Sequence, residues 1–262
     1  LYITQDIYLA MKRLTEHPDV EKIIYVVASE QEMHFKQVFA ILDLLGFEQG
    51  KKCYHLGYGL VVLPEGKMST RAGTVVDADS LIDEVMQLAH EEYAKRSPEL
   101  DEKELTRRAR VVAMGALKFY LVKQDARKEL VFNPNESIAF DGQTGPYLLY
   151  TNARIQSILQ KTTQPSSLSH VEKLSHPLER TLLSQLAQKQ STFEDALAHY
   201  SPHILCHYLL GLSNTFNTYY HEVKIIQEDA ILESARRALA EAVHHTLEEG
   251  LYTLGIETLK EM

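Results

Sequence analysis

The stretch 23-IIYVVASEQEMHFKQVFAILDLLG-46 decides the architecture of the first part of the chain. Its opening run, Ile23 to Ala28, is short, apolar and β-branched, the pattern of a buried strand. Over residues 30–45 the apolar side chains of Met33, Val38, Ile41, Leu42 and Leu45 recur at helical spacing, and Gly46 is placed to close that helix as a C-cap. A second strand-like run follows over 52–63. Strand, helix, strand in this order is the parallel crossover unit of a doubly wound sheet. Residues 6–15, upstream, read as a further helix. Two strands are too few for a stable sheet of this kind, so the rest of the sheet is expected outside this chain, and its open strand edges could drive dimerisation.

Beyond Asp79 strand signals nearly vanish. Helices are predicted at about 79–96, 102–123, 146–161, 177–189, 202–221 and 229–254 from apolar periodicity. In the fifth of these Leu205, Leu209, Leu212, Phe216 and Tyr219 recur every three or four residues. In the last, Leu232, Ala235, Leu239, Ala242, Val243 and Leu247 do the same, as core-facing stripes do. The polar stretch 162–169, with Pro165, reads as a surface loop. The expected fold class is α+β multidomain and mostly α: a partial Rossmann-like α/β part over 1–78, then an all-α helical bundle over 79–262.

Composition excludes several classes. Of the 262 residues 45% are apolar and 24% charged, with a net charge of −9. Such a chain does not coat nucleic acid indiscriminately, because that binding runs on basic surface. A local basic face remains available: Lys103, Arg107, Arg108, Arg110, Lys118, Lys123, Arg127 and Lys128 lie close in sequence, with Glu104 and Asp125 as interspersed acids. It reads either as an RNA-facing surface or as a solvated helix face. No run of about 18 apolar residues suggests a membrane-spanning helix, and no secretory signal is visible. Leu1 in place of Met suggests a trimmed fragment. The two cysteines, Cys53 and Cys206, are far apart, give no disulfide framework and fit a reducing, cytoplasmic setting. His203, Cys206 and His207 fall within one helical turn, where two ligands at i and i+4 could hold zinc. With no fourth ligand evident, no metal is expected there. His244 and His245 are adjacent and point apart on a helix.

Two strings carry chemistry. The first is 65-EGKMSTRAG-73, between a strand and a helix. Its flanking glycines allow mobility, while Lys67, Ser69 and Arg71 offer cations and a hydroxyl to a polyphosphate whose charge grows as pyrophosphate departs. It is not a Walker loop, because the glycine and lysine spacing differs. The second is 140-FDGQTGPYLLYTNAR-154. Asp141-Gly142 makes a turn and Pro146 suits a first helical turn. Tyr147, Tyr150 and Arg154 then share one helix face, where aromatic rings and a guanidinium can stack on unpaired bases. The alternative is that the tyrosines are half-buried packing residues.

These strings resemble class I aminoacyl-tRNA synthetases, specifically the arginyl-tRNA synthetase family. Lys67-Met68-Ser69 is similar to the KMSKS signature, with Thr70 in place of the second lysine and Arg71 following. Residues 140–154 resemble the segment that opens the family's DALR-type anticodon-binding bundle. Tyr2, Thr4 and Asp6 resemble the family's Y-x-T-x-D segment, and Glu30, Gln31, His34 and Phe35 its E-Q-x-x-H-F turn. The resemblance implies that Tyr2, Asp6 and Gln31 line the arginine pocket. A carboxylate such as Asp6 suits a guanidinium because the planar fork takes two parallel hydrogen bonds. It implies further that His34, Gly57, Lys67 and Met68 border ATP, with Gly57-Tyr58-Gly59 allowing close backbone approach or forming only a bulge. Tyr147, Tyr150, Arg154 and the final Met262 are implied to meet the anticodon loop, although Glu261 stands where the family usually has arginine.

The implied function is the C-terminal portion of an arginine–tRNA ligase. Its substrates are arginine and ATP with Mg2+, its partner is tRNA(Arg), and it has no tightly bound cofactor and is monomeric. No HIGH-type motif is present, so the fragment alone is expected to be inactive. The competing readings are a non-catalytic tRNA-binding module or truncated paralogue, and a cysteinyl-type synthetase, for which the two cysteines are too few.

Overall fold

A computed structural model of the chain describes residues 2–62, 77–162 and 164–262. These fall into two compact units, Leu1–Val62 with Ala126–Leu130, and Leu63–Asp125 with Val131–Met262.

The first unit contains α1 (Tyr2–Glu16), β1 (Ile23–Ala28), α2 (Glu32–Leu44), β2 (Cys53–Tyr58) and β3 (Val61–Val62). β1 and β2 pair in parallel, from Ile23 opposite Cys53 to Ala28 opposite Tyr58, and α2 is their crossover. The helix expected to begin at residue 6 begins at Tyr2. Its apolar stripe runs from Ile3 through Ile7, Ala10 and Met11, which pack with Val38 and Leu42 of α2. Phe35 joins that helix to the strands, 4.9 Å from the Tyr25 ring and stacked at 4.8 Å on His55.

Two expectations change here. β1 was expected to be buried, yet Ile24 and Val26 are exposed, Val26 by 62%. Burial alternates along the strand, as it must when helices cover one face of a pleated pair. The run 52–63 is not one strand but breaks at Gly59. A Cβ there would lie 2.1 Å from the carbonyl oxygen of Lys128. Gly59 N donates to Ala126 O at 2.6 Å and Leu130 N donates to Leu60 O at 2.9 Å. The close backbone approach that this glycine permits is therefore taken by residues 126–130 of the same chain.

The second unit is helical: α3 (Ala78–Arg96), α4 (Glu102–Val122), α5 (Pro134–Ser137), α6 (Gly145–Lys161), α7 (Pro177–Ala187), α8 (Lys189–Ala198), α9 (Pro202–Glu222) and α10 (Ala230–Thr253), with Val131 of the short β4 (Leu130–Val131). α8 was not expected. None of its residues is buried and Leu197 is 74% exposed, so it lacks the apolar stripe by which a helix is read from sequence. The stripes of α9 and α10 face the core: Leu205, Leu209, Leu212, Phe216, Tyr219, Ala235, Leu239, Val243 and Leu247 are buried, while Leu232 and Ala242 of the expected stripe are only partly buried. Among the described residues no helix is long and apolar enough to cross a membrane.

α6 packs on α4, α9 and α10. Thr144 caps it, accepting from Tyr147 N at 3.2 Å, and Pro146 occupies its first turn. Gly145 meets α4 so closely that a Cβ would lie 2.4 Å from the carbonyl oxygen of Gly115. Backbone cannot swing aside as a side chain can, so Gly145→Ala must part the two helices. It is expected to destabilise the chain by about 1–3 kcal/mol, read from the urea midpoint. A loss below about 0.5 kcal/mol, the range of neutral surface changes, would show that the crossing is not tight.

Candidate functional site

The sequence-predicted residues of the second string gather on the α6–α9 side of the helical unit. Asn217 of α9 is the hub. Its Nδ2 donates to Tyr147 Oη at 2.9 Å and to Thr151 Oγ1 at 2.9 Å, and its Oδ1 accepts from Arg154 at 2.7 Å. Tyr147 Oη donates in turn to Asn214 Oδ1 at 2.7 Å. With its hydroxyl so engaged, Tyr147 braces α6 against α9. Arg154 is turned across two rings, 4.6 Å from the Tyr150 centroid and 5.5 Å from that of Tyr220, within cation–π range. Among the described residues Arg154 has no carboxylate partner.

Tyr150, Arg154 and Tyr220 line an open cleft of about 830 Å³, together with Lys161, residues 221–226, Glu261 and Met262. Its floor is fixed by buried charge. Glu179 is fully buried; its carboxylate accepts from Arg236 Nε at 2.8 Å, Tyr219 Oη at 3.2 Å and His176 N at 2.9 Å. Arg236 also donates to Lys224 O at 2.8 Å, and Glu233 accepts from Gln227 N at 3.0 Å. The loop after α9 is thus tied to α7 and α10 by a satisfied ion pair, the only form in which buried charge is tolerable. Burial and the neighbouring Glu179 both push the Tyr219 phenol far up.

Several cations of the basic cluster are engaged within the chain. Arg107 and Arg108 both donate to Glu104, holding its carboxyl down at about 2. Arg108 donates to Glu261 O at 3.3 Å, and Lys118 to Gly255 O. Lys123 donates to Gln143 O at 3.3 Å and lies 4.0 Å over Tyr120. Arg108 and Lys118 therefore hold the C-terminal segment, whose Ile256 and Leu259 are each 3% exposed and whose Met262 lines the cleft.

His203, Cys206 and His207 do not converge. Cys206 Sγ donates to Val122 O at 3.6 Å, and His207 Nε2 lies 2.9 Å from Lys123 O. Both satisfy carbonyls at the end of α4, and burial pushes the Cys206 thiol up to about 12. Among the described residues no three His, Cys, Asp or Glu are placed to hold a metal.

In the α/β unit the structure brings Asp6 and His34 together, Oδ2 to Nε2 at 2.7 Å. Gln31 is the N-cap residue of α2. Gly57 stands opposite Val27 near the carboxyl ends of both strands, where open α/β sheets take ligands. Tyr2 lies one turn from Asp6 on α1 and is 86% exposed. Lys67, Met68, Ser69 and Arg71 lie outside the described residues.

A family model for the catalytic domain of class I (R) tRNA synthetases matches residues 1–134, and one for the DALR anticodon binding domain matches 148–262. The chain belongs to the arginyl-tRNA synthetase family. It is 40% identical over 270 residues to an arginine–tRNA ligase of Porphyromonas gingivalis, covering all of this chain and 45% of that protein. The ligase of Phocaeicola vulgatus is 41% identical, with 44% of it covered. The chain thus spans less than half the length of the curated relatives it matches. Among solved structures, Thermus thermophilus arginyl-tRNA synthetase superposes with a TM-score of 0.83 at 30% identity, over 94% of this chain and 42% of that one. The Plasmodium falciparum enzyme shares the fold, with a TM-score of 0.80 at 22% identity, over 98% and 44% of the two chains.

In this synthetase-family chain, α3 and α4 fall in the stretch matched by the catalytic-domain model while clustering with the helical unit. Sequence reading missed Asn214, Asn217 and Tyr220. They sit between core positions of α9, and nothing in a one-dimensional pattern marks a polar residue as a cross-helix brace. A double-mutant cycle tests the brace. Arg154→Ala and Asn217→Ala, singly and together, are expected to show a coupling above about 0.5 kcal/mol in urea unfolding. Strict additivity would mean that the 2.7 Å contact holds nothing in place.

Proposed function

We propose that this chain is the anticodon-reading portion of an arginine–tRNA ligase and contributes part of its catalytic centre. The observation that carries the reading is the Arg154–Tyr150–Tyr220 wall, pre-set by Asn217 and facing a cleft of about 830 Å³, in a segment matched by an anticodon-binding family model. Unpaired RNA bases are commonly held by stacking on aromatic and guanidinium planes. A side chain already held in place has less conformational entropy left to lose on binding. Met262 closes the same cleft, and Tyr147 acts through the brace.

In the α/β part, over residues 1–78, Asp6 receives the substrate guanidinium, flanked by Tyr2 and Gln31, while His34 orients Asp6 and borders the nucleotide with Gly57. Lys67 and Met68 contact ATP, and Lys67, Ser69 and Arg71 stabilise the departing pyrophosphate electrostatically. The Mg2+ arrives with the ATP. The reaction is activation of arginine as its adenylate, followed by transfer to tRNA(Arg). The helices over residues 79–262 serve the RNA. The chain acts as a cytoplasmic monomer. The open face of β1, with Val26 62% exposed, supports a further layer covering that face in the complete enzyme.

Binding to tRNA(Arg) transcripts, wild type against anticodon-substituted, across a salt series tests this. Substitution of a stacked, read base is expected to weaken binding about tenfold or more at every salt concentration, given roughly 1–3 kcal/mol per stacked base. Equal, steeply salt-dependent binding to both would point to phosphate contacts alone and overturn the reading.

A further inference from the structure

The main cleft is not the only cavity on its side of the helical unit. A second, of about 300 Å³, is lined by Tyr93, Arg96, Ser97, Phe140, Tyr150 and Met262. Tyr150 and Met262 also line the main cleft, so the two cavities share a wall made of one aromatic ring and one flexible thioether. Each cavity has the same furnishing. In the main cleft Arg154 lies 4.6 Å over the Tyr150 ring, and in the second Arg96 lies 4.3 Å over the Phe140 ring. Arg96 Nε also donates to Glu92 at 3.1 Å, an exposed pair one helical turn apart.

We propose that Tyr150 and Met262 form a divider that splays two neighbouring unpaired nucleotides. One base enters the Arg154–Tyr150–Tyr220 cleft, and the next enters the Arg96–Phe140 cavity. The proposal rests on the RNA-reading role above and adds to it a second base site on the α3 side, together with the reason for placing a methionine between the two. A cavity of about 300 Å³ is at the small end of ligand sites and suits one flat base rather than a folded-back pair. An arginine plane on a ring presents a flat surface that accepts any base by stacking, so this second site favours occupancy over base identity. Ser97 is the one hydroxyl residue lining it that is not aromatic.

The test is a coupling scan with the chain as it stands and a tRNA(Arg) anticodon stem-loop, in which one loop nucleotide at a time is made abasic. Arg154→Ala, Arg96→Lys and Phe140→Leu are measured against each RNA; the last two keep charge and bulk, and thermal melts confirm folding. On the intact loop each variant is expected to bind about tenfold more weakly, equivalent to one lost stack. For Arg154→Ala that loss disappears at one abasic position. For Arg96→Lys and Phe140→Leu it disappears at the position directly next to it. The two-base arrangement is overturned if the Arg96 and Phe140 variants bind like wild type, couple to no position, or couple to the same position as Arg154, and in those cases the single-cleft reading survives. If no abasic position weakens the wild-type chain, the anticodon reading falls and the divider falls with it.

Discussion

The approach of α6 to α4 at Gly145 and Gly115 is the constraint on which the functional face depends. With no Cβ at either residue, backbone meets backbone, and α6 begins at a fixed point beneath α4. Thr144 and Pro146 set its first turn. From that start every later side chain of α6 has a set azimuth: Leu148, Leu149 and Ile155 point into the core, while Tyr150 and Arg154 line the cleft. Asn217 then joins α6 to α9 through three hydrogen bonds. The Arg154 guanidinium is thereby placed between two rings rather than left to sample solvent, so its ordering cost falls in folding and not in binding.

Charge in this acidic chain is arranged in two tiers. Glu179 and Arg236 form a buried pair that holds the loop behind the cleft. Arg108 and Lys118 of α4 hold the C-terminal segment, while Arg107 pairs with Glu104 on its own helix. What stays available at the cleft is Arg154, with Lys161 and Lys224 near it and Glu222 and Glu261 opposing them. Such a mixed lining gives a weak overall field, so recognition there relies on stacking and shape more than on phosphate attraction.

Local pattern made much of this legible in the sequence. The parallel crossover unit, the cap and first turn of α6, and the core stripes of α9 and α10 follow from periodicities and capping residues that act within a few positions. What escaped depends on contacts between distant positions. Gly59 breaks a strand because Lys128 returns to it, which no window around residue 59 reveals. α8 has no buried residue to announce it. The cations of α4 read either as RNA-facing or as solvated, and nothing local shows that Arg108 and Lys118 turn to Glu261 and Gly255, well over a hundred residues away. Asn217 reads as an ordinary polar position until α6 is laid beside it.

Amide hydrogen exchange of the chain, with and without a tRNA(Arg) anticodon stem-loop, tests most directly whether the α6–α9 face is where RNA is read. The expected result is slowed exchange across the cleft lining, in residues 154–161, 220–226 and the segment reaching Met262, with the exposed face of α7 and α8 unchanged. Slowing confined to α4, or no slowing at all at an RNA concentration that saturates the chain, would contradict it.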